Sequence, residues 1–121
     1  MRSTASRVAA DAAGRRGERI AGWWLRLKGW RILARRVKTK AGEVDLIARR
    51  GNLVAFVEVK TRATAAALDL AIDERRLRRV AAAAEILAAT YAPDGEDIRV
   101  DVLLIAPRCV PRHIENAWIG Y

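Results

Sequence analysis

The chain is poor in the residues that build disulfide frameworks and thiolate or imidazole metal sites. Its 121 residues include one cysteine, Cys109, and one histidine, His113. A disulfide within the chain is therefore excluded, and a zinc site of the Cys/His kind is not supported. Cys109 and His113 are only four residues apart, which makes them a weak candidate for a nucleophilic pair.

Long apolar segments are also missing. No run of residues is long enough to span a bilayer, and the first residues, MRSTASRVAADAA, lack the apolar core of a secretory signal. No internal repeat, linker or second domain is visible. These features predict a disordered arm over residues 1–13, one domain over residues 14–121, and a cytoplasmic location.

Acidic residues are scarce relative to basic ones, and the imbalance is local. The chain has 23 Lys and Arg against 14 Asp and Glu, and residues 1–40 hold twelve of the basic residues against only Asp11 and Glu18. A basic surface of this strength favours binding of a polyanion by neutralising its phosphates. A solvated basic face without a ligand is the alternative. An anionic membrane surface is less supported, because no long apolar face with basic flanks is present.

The most informative stretch is 43–62, EVDLIARRGNLVAFVEVKTR. It is typical of two apolar β-strands joined at Gly51-Asn52, residues that tolerate the positive φ of a hairpin turn. Asp45, Glu58 and Lys60 interrupt this apolar background. Because charged groups are seldom buried unless they are paired or bind a metal, these three side chains require an explanation.

Strand geometry brings the charged side chains together. Successive side chains alternate between the faces of a sheet, so Glu58 and Lys60 share a face. A turn at Gly51-Asn52 sets Asp45 opposite Glu58, although a slip of one residue would reverse its face.

Three interpretations of this cluster remain open. The first is an internal ion pair between Lys60 and one of the acids, and the second is a polar edge that faces solvent. The third is a site for Mg²⁺ or Mn²⁺, which prefer carboxylate oxygens and would relieve the repulsion between Asp45 and Glu58. Beside such a site, Lys60 could orient a water molecule or neutralise charge on a phosphate.

Asp45…Glu58-Val59-Lys60 resembles the PD-(D/E)xK nuclease motif, with Val44 at the position of its proline. The wider wording, GEVDLIARRGNLVAFVEVKTR, is similar to the YraN family of bacterial proteins, which are related to archaeal Holliday junction resolvases. The resemblance covers nearly the whole chain. It implies a restriction-endonuclease-like fold, a Mg²⁺- or Mn²⁺-dependent endonuclease, a branched DNA substrate and a homodimer. The implied ligands of the metal are Asp45, Glu58 and the backbone carbonyl of Val59.

The remaining segments predict two helices and three further strands. The first helix covers 17–28, with an apolar stripe of Ile20, Trp24 and Leu27, and the second runs from an N-cap at Asp73 to about Tyr91. The three further strands are expected at 30–39, 98–106 and 113–119. The order α-β-β-β-α-β-β favours an α+β fold, with a mixed sheet of about five strands between two helices.

Several polar and aromatic residues have more than one interpretation. The resemblance implies that the helical Glu18 reaches the metal; by itself this residue only favours the positive end of its helix. Glu43 is a metal ligand, a partner of a ligand, or a salt-bridge partner of an arginine. Asp101 is expected to pair with an arginine, and His113 to lie at the surface or in a loop. Three tryptophans are expected to pack in the core rather than to stack on bases: Trp23, Trp24 and Trp30.

The leading hypothesis is an endonuclease whose catalytic residues are Asp45, Glu58, Lys60 and Glu18. The alternative is a module of the same fold that binds nucleic acid or a protein without turnover, and a structural or membrane-surface role ranks third. Eight basic residues are expected to hold the phosphates of nucleic acid, namely Arg35, Arg36, Lys38, Lys40, Arg62, Arg75, Arg76 and Arg79.

Overall fold

A computed structural model describes residues 4–68 and 73–118, apart from the side chains of 4–13 and 68. The chain forms three helices and five strands in these ranges. In order they are α1 (Thr4–Leu27), β1 (Arg31–Lys38), β2 (Glu43–Arg50), β3 (Leu53–Thr61), α2 (Ala65–Leu68), α3 (Glu74–Tyr91), β4 (Asp97–Ile105) and β5 (Arg112–Ile114).

The strands form one mixed sheet in the order β1-β2-β3-β4-β5. Strands β1, β2 and β3 are antiparallel neighbours, whereas β4 lies parallel to β3 because α3 connects them, and β5 returns antiparallel to β4. The α+β fold and the five-stranded mixed sheet are therefore as predicted. The short helix α2 is an addition to the predicted order of elements.

The hairpin of β2 and β3 has the predicted register. Leu46 lies opposite Val57 and Ile47 lies opposite Phe56, which places Asp45 level with Glu58 one position further along. Gly51 occupies the turn with φ of 62°, a conformation that costs a glycine little. The turn chemistry and the alternating pattern thus specify the same pairing.

The two faces of the sheet are covered by different helices. On β3, Val54 and Phe56 pack into the core that contains Leu77 and Val80 of α3. The alternate residues of the same strand, Ala55 and Val57, pack into a second core with Ala21 and Leu25 of α1. The hairpin is consequently buried on both faces. A charged side chain within it therefore needs a hydrogen-bond or ion-pair partner.

The predicted orientation of α1 is wrong. Two members of the predicted stripe point to solvent, with Ile20 48% and Leu27 80% exposed, whereas Gly17, Ala21 and Leu25 face the sheet. Small residues such as Gly17 and Ala21 occupy this face because the helix lies very close to β3. A Cβ atom at Gly17 would overlap the side-chain hydroxyl of Thr61, so a larger residue there would force the helix away.

The ends of several elements also differ from the prediction. Helix α1 begins at Thr4 rather than at Gly17, and residues 1–3 of the predicted arm lie outside the described residues. Strand β5 ends at Ile114 rather than at Ile119, a residue that also lies outside them. The N-cap of α3 is confirmed, because the Asp73 carboxylate accepts the backbone N–H groups of the first helical turn. Of the helices in the described part of the chain, none combines the length and apolarity needed to cross a membrane.

Candidate active site

A cleft of about 870 Å³ opens where the β2–β3 hairpin meets α1 and α3. It forms at the end of the hairpin at which Asp45 enters β2 and Lys60 leaves β3, so both strands deliver polar side chains to the same place. Seven of the residues predicted for the site line this cleft: Glu18, Asp45, Glu58, Val59, Lys60, Arg62 and Arg76.

Asp45 is a buried carboxylate with a single polar anchor. The residue is 8% exposed, and its Oδ2 accepts a hydrogen bond of 2.8 Å from the backbone N–H of Val59. Among the described residues it forms no ion pair. Burial and the negative charge of Glu58 raise the pKa of Asp45 to about 7. The charge of Arg76 acts in the opposite direction but does not bring this pKa back to the usual range of an aspartate.

Glu58, in contrast, already has cationic partners. It is 3% exposed, and Arg76 Nε lies 3.1 Å from its Oε2 while Lys60 Nζ lies 3.7 Å from its Oε1. Burial acts to lower the pKa of Arg76, but the charge of Glu58 and their hydrogen bond raise it above its usual value. The internal ion pair is confirmed for Glu58, with Arg76 from α3 as the closer partner.

Glu18 extends from α1 to the cleft, where it forms an ion pair with an arginine. Arg36 Nε lies 2.6 Å from Glu18 Oε2, and the charge of Glu18 contributes to the raised pKa of Asp45. The helical glutamate predicted by resemblance thus lies near the acid pair. Arg36, predicted to hold a phosphate, is engaged by this carboxylate.

The described residues contain no group of three or more Asp, Glu, His or Cys side chains placed to hold a metal ion. The four acids predicted as ligands are therefore not assembled into one coordination shell. Glu43 is half-buried opposite Lys38 on β1 and does not line the cleft. Asp45 and Glu58, with the nearby backbone of Val59, remain a donor set of oxygens that suits a hard divalent cation.

The predicted phosphate contacts divide into three groups. Arg62 and Arg76 line the acid cleft, and Arg35 and Arg36 line a neighbouring groove between α1 and β1. The other four lie on the exposed surface away from both: Lys38, Lys40, Arg75 and Arg79. Three arginines of α1 that were not predicted individually also line the groove: Arg15, Arg16 and Arg19. The charge excess of residues 1–40 was the signal that could have found them.

Asp101 belongs to a separate buried network. It accepts Arg99 Nε at 2.7 Å and the backbone N–H of Asn116 at 3.0 Å, while His113 Nε2 lies 2.7 Å from its Oδ2. Burial favours the neutral acid, but these hydrogen bonds hold the pKa of Asp101 below its usual value. The predicted arginine partner is confirmed. The surface or loop position predicted for His113 is wrong, because His113 lies in β5 and contacts Asp101.

The tryptophans have three different environments. Trp30 is buried between the guanidinium groups of Arg50 and Arg99, whose carbons lie 4.5 and 5.7 Å from the ring centre. Trp24 is half-buried against the core that contains Ala21 and Leu25. Trp23 is 64% exposed, so the expectation of core packing is wrong for this residue.

Comparison with known proteins finds one family along most of the chain. The model of a family described as "Uncharacterised protein family UPF0102" matches residues 17–105. A UPF0102 protein of Erythrobacter litoralis is 66% identical over 112 residues, which are 93% of this chain and 97% of that relative. A UPF0102 protein of Sphingopyxis alaskensis is 62% identical over 113 residues, with the same coverage of 93% and 97%. A UPF0102 protein of Bartonella bacilliformis is 53% identical over 104 residues, or 85% of each chain.

Proposed function

The chain belongs to the uncharacterised protein family UPF0102, and we propose that it is a metal-dependent endonuclease that hydrolyses phosphodiester bonds in nucleic acid. One observation supports this proposal above the others. Asp45 and Glu58 come from adjacent strands, are buried in the same cleft and share it with Lys60. Acids can hold a metal ion, and lysine and arginine can stabilise the charge that develops on a phosphate during hydrolysis.

The charge on Asp45 distinguishes this cleft from a structural ion-pair cluster. Glu58 is neutralised by Arg76 and Lys60, whereas burial and Glu58 raise the pKa of Asp45 to about 7. A purely structural carboxylate would be expected to have a cationic partner of its own. Asp45 has no such ion pair among the described residues, and the charge of Arg76 offsets its raised pKa only in part, which supports a cationic ligand.

The two carboxylates, with the backbone carbonyl of Val59, would hold Mg²⁺ or Mn²⁺. When bound, the ion supplies positive charge to the scissile phosphate and lowers the pKa of a coordinated water. Lys60 lies at the cleft wall, where its ammonium would orient the attacking water and stabilise charge on the phosphate oxygens. Arg62 and Arg76 line the same cleft and would hold the flanking phosphates.

Cleavage assays test the proposal directly. Wild type and Asp45→Asn would be incubated with junction, flap, single-stranded and linear DNA, each with Mg²⁺ or Mn²⁺. We expect products only with wild type and only with metal. Asp97→Asn is the matched control, because Asp97 is exposed at the opposite end of β3 and β4, and it should cleave as wild type does. Equal cleavage by Asp45→Asn, or no cleavage by wild type on any substrate, would overturn the proposal.

Metal binding can be tested without a nucleic-acid substrate. Calorimetric titration of Mn²⁺ into the protein should show binding to wild type and to Asp97→Asn. Asp45→Asn and Glu58→Gln should each lose most of it, because each removes one of the two buried carboxylates. Unchanged heats in both variants would place the cation elsewhere.

A second candidate function has its own support. Glu58 and Glu18 already have arginine partners, and such pairing suits a module that binds nucleic acid without cleaving it. Binding that survives Lys60→Ala, with no metal-dependent products from wild type, would favour this alternative.

DNA as the substrate, a homodimer and a cytoplasmic location stay predictions. Light scattering coupled to size-exclusion chromatography would show whether the protein is a dimer. Cleavage of matched DNA and RNA strands would show which nucleic acid is the substrate.

A further inference from the structure

A basic groove lies beside the acid cleft, between α1 and β1. Its volume is about 650 Å³, and we call it the α1–β1 groove. Its lining consists of five arginines with one acid and one aromatic: Arg15, Arg16, Arg19, Arg35, Arg36, Glu18 and Trp23. Arg16 and Glu18 line both the groove and the cleft, so the two cavities are adjacent.

Trp23 is not needed to pack α1 on the sheet. Helix α1 contacts the sheet through Ala21 and Leu25, and Trp23 is 64% exposed. The guanidinium carbon of Arg26 lies 5.4 Å from the centre of the Trp23 ring. A large aromatic ring left in contact with water, inside a cationic groove, is a feature that a ligand with flat rings and negative charge would use.

We propose that the α1–β1 groove binds an unpaired nucleic-acid strand, with Trp23 stacked on a base and the arginines on its phosphates. Stacking platforms combined with a cationic track are the means by which proteins hold single strands. A duplex keeps its bases stacked inside, so it can offer phosphates to the arginines but no base to Trp23. The strand would continue past Arg16 into the acid cleft. In that respect this inference rests on the proposed function, although binding itself does not require cleavage.

Charge alone would also attract an acidic peptide or a duplex. Those ligands would use the charges of the exposed residues Arg16, Arg19 and Arg35 but would gain little from the indole. Dependence on Trp23 therefore separates an unpaired strand from the other polyanions.

The first experiment measures binding by fluorescence anisotropy, with the full chain in a chelator so that metal-dependent cleavage cannot interfere. The probe is a labelled oligothymidylate of about 12 nucleotides, a length within the usual site size. We expect Trp23→Ala to weaken its binding by a factor of about 5 to 100, and Trp23→Phe to retain part of the affinity. Binding of a duplex of the same length should change by less than about twofold, because its bases do not reach the ring.

Leu27→Ala is the matched control. Leu27 lies on the same helix, is 80% exposed and does not line the groove, so its variant should bind the oligothymidylate as wild type does. Circular dichroism melts of all three variants would confirm folding. Since Trp23 and Leu27 are both exposed, neither alanine should lower the melting temperature substantially.

A second experiment tests the cationic part of the groove independently of Trp23. Arg35→Gln should weaken oligothymidylate binding and reduce the magnitude of the salt slope, d log K/d log[salt], by about 0.7, the value for one phosphate contact on a single strand. Arg31→Gln is its control, because Arg31 lies exposed at the other end of β1. That variant should leave the slope unchanged.

Three results would overturn the groove inference: Trp23→Ala within about twofold of wild type, an equal loss on duplex and single strand, or equal slopes for the two arginine variants. Displacement of the oligothymidylate by polyglutamate at equal charge concentration, unaffected by Trp23→Ala, would assign the groove to an acidic peptide.

These outcomes are separate from failure of the nuclease proposal. Cleavage by wild type with no effect of Trp23→Ala would overturn the groove alone. Trp23-dependent binding without cleavage would overturn the nuclease alone.

Discussion

The backbone N–H of Val59 donates a hydrogen bond of 2.8 Å to Asp45 Oδ2. This bond crosses from β3 to β2 just beyond their last paired residues, Leu46 and Val57, and anchors the Asp45 carboxylate in the cleft. Glu58, one residue before Val59, is anchored by the arginine of a different element. Asp45 and Glu58 therefore have different polar partners, and each arrangement has a measurable consequence.

The raised pKa of Asp45 predicts how stability depends on pH without metal. Between about pH 4 and 7 the folded protein binds a proton at Asp45 that the unfolded chain does not, so the free energy of unfolding should fall as pH rises through this interval. Asp45→Asn cannot ionise and its amide oxygen can still accept the Val59 N–H. We expect it to lose this slope and to exceed wild type at pH 8 by about 2–4 kcal/mol.

Urea denaturation of both proteins from pH 5 to 8 in chelator would measure this difference. Asp97→Asn, a substitution of an exposed acid, should keep the slope of wild type. Parallel pH profiles for wild type and Asp45→Asn would contradict the prediction.

A divalent cation in the cleft would compete for Glu58 with Arg76, whose Nε lies 3.1 Å from Glu58 Oε2. Arg76→Gln would leave Glu58 with Lys60, at 3.7 Å, as its one cationic partner in the described part of the chain, and should lower the free energy of unfolding by about 1–3 kcal/mol. A bound divalent cation would restore part of this loss. Mg²⁺ should therefore raise the melting temperature of Arg76→Gln more than that of wild type.

Arg78→Gln provides the comparison on the same helix. Arg78 makes an exposed pair with Glu74 at 3.6 Å, which is expected to contribute less than about 1 kcal/mol. Its response to Mg²⁺ should equal that of wild type. The same shift in all three proteins would show that Arg76 and the cation do not compete.

Asp101 is expected to contribute to the stability of the fold and not to binding in the acid cleft. Asp101→Asn removes the buried carboxylate that the half-buried Arg99 and His113 contact, and should cost about 3–5 kcal/mol. Because the folded-state pKa of Asp101 is lowered, its contribution is present above about pH 4 and is lost as pH falls further.

Denaturation curves at pH 7 and pH 3 would measure both effects of Asp101. The loss in Asp101→Asn should be large at pH 7 and smaller at pH 3. Metal-dependent binding per folded molecule should not change, since Asp101 does not line the cleft. A cost below about 1 kcal/mol at pH 7 would mean that the network contributes little.

Two glycines of α1 should respond in opposite directions to the same substitution. Gly17→Ala should destabilise by about 1–3 kcal/mol, because its Cβ would overlap the Thr61 hydroxyl. Gly14→Ala has no atom within 4 Å of the new Cβ and should stabilise by about 0.5–1 kcal/mol. In a thermal melt, Thr61→Ala combined with Gly17→Ala should recover part of the loss. Equal effects at both glycines would argue against the close contact of α1 with β3.

Features set by neighbouring residues could be predicted. The pairing of β2 with β3 follows from the alternating pattern and the Gly51-Asn52 turn, which act within a few residues of each other. The start of α3 follows from the Asp73 side chain and the two N–H groups that it caps. The cleft could therefore be located, because its acids lie on that hairpin.

Features set by distant neighbours could not be predicted. Nothing near Glu58 in the chain indicates that Arg76 will be its closest partner, because the contact depends on where α3 crosses the sheet. The contact of His113 with Asp101 likewise requires β5 to pair with β4. Long arginine side chains have several carboxylates within reach, and only the packed arrangement selects one.

By itself, the sequence determined the hairpin, its register and the location of Asp45, Glu58 and Lys60 along it, because strand periodicity and turn chemistry are local. Tertiary structure alone decided that α1 approaches through Gly17 and Ala21, that Trp23 faces water, and which arginine neutralises which acid. Those outcomes depend on how closely separate elements can approach, which is set by shape and burial across the whole domain.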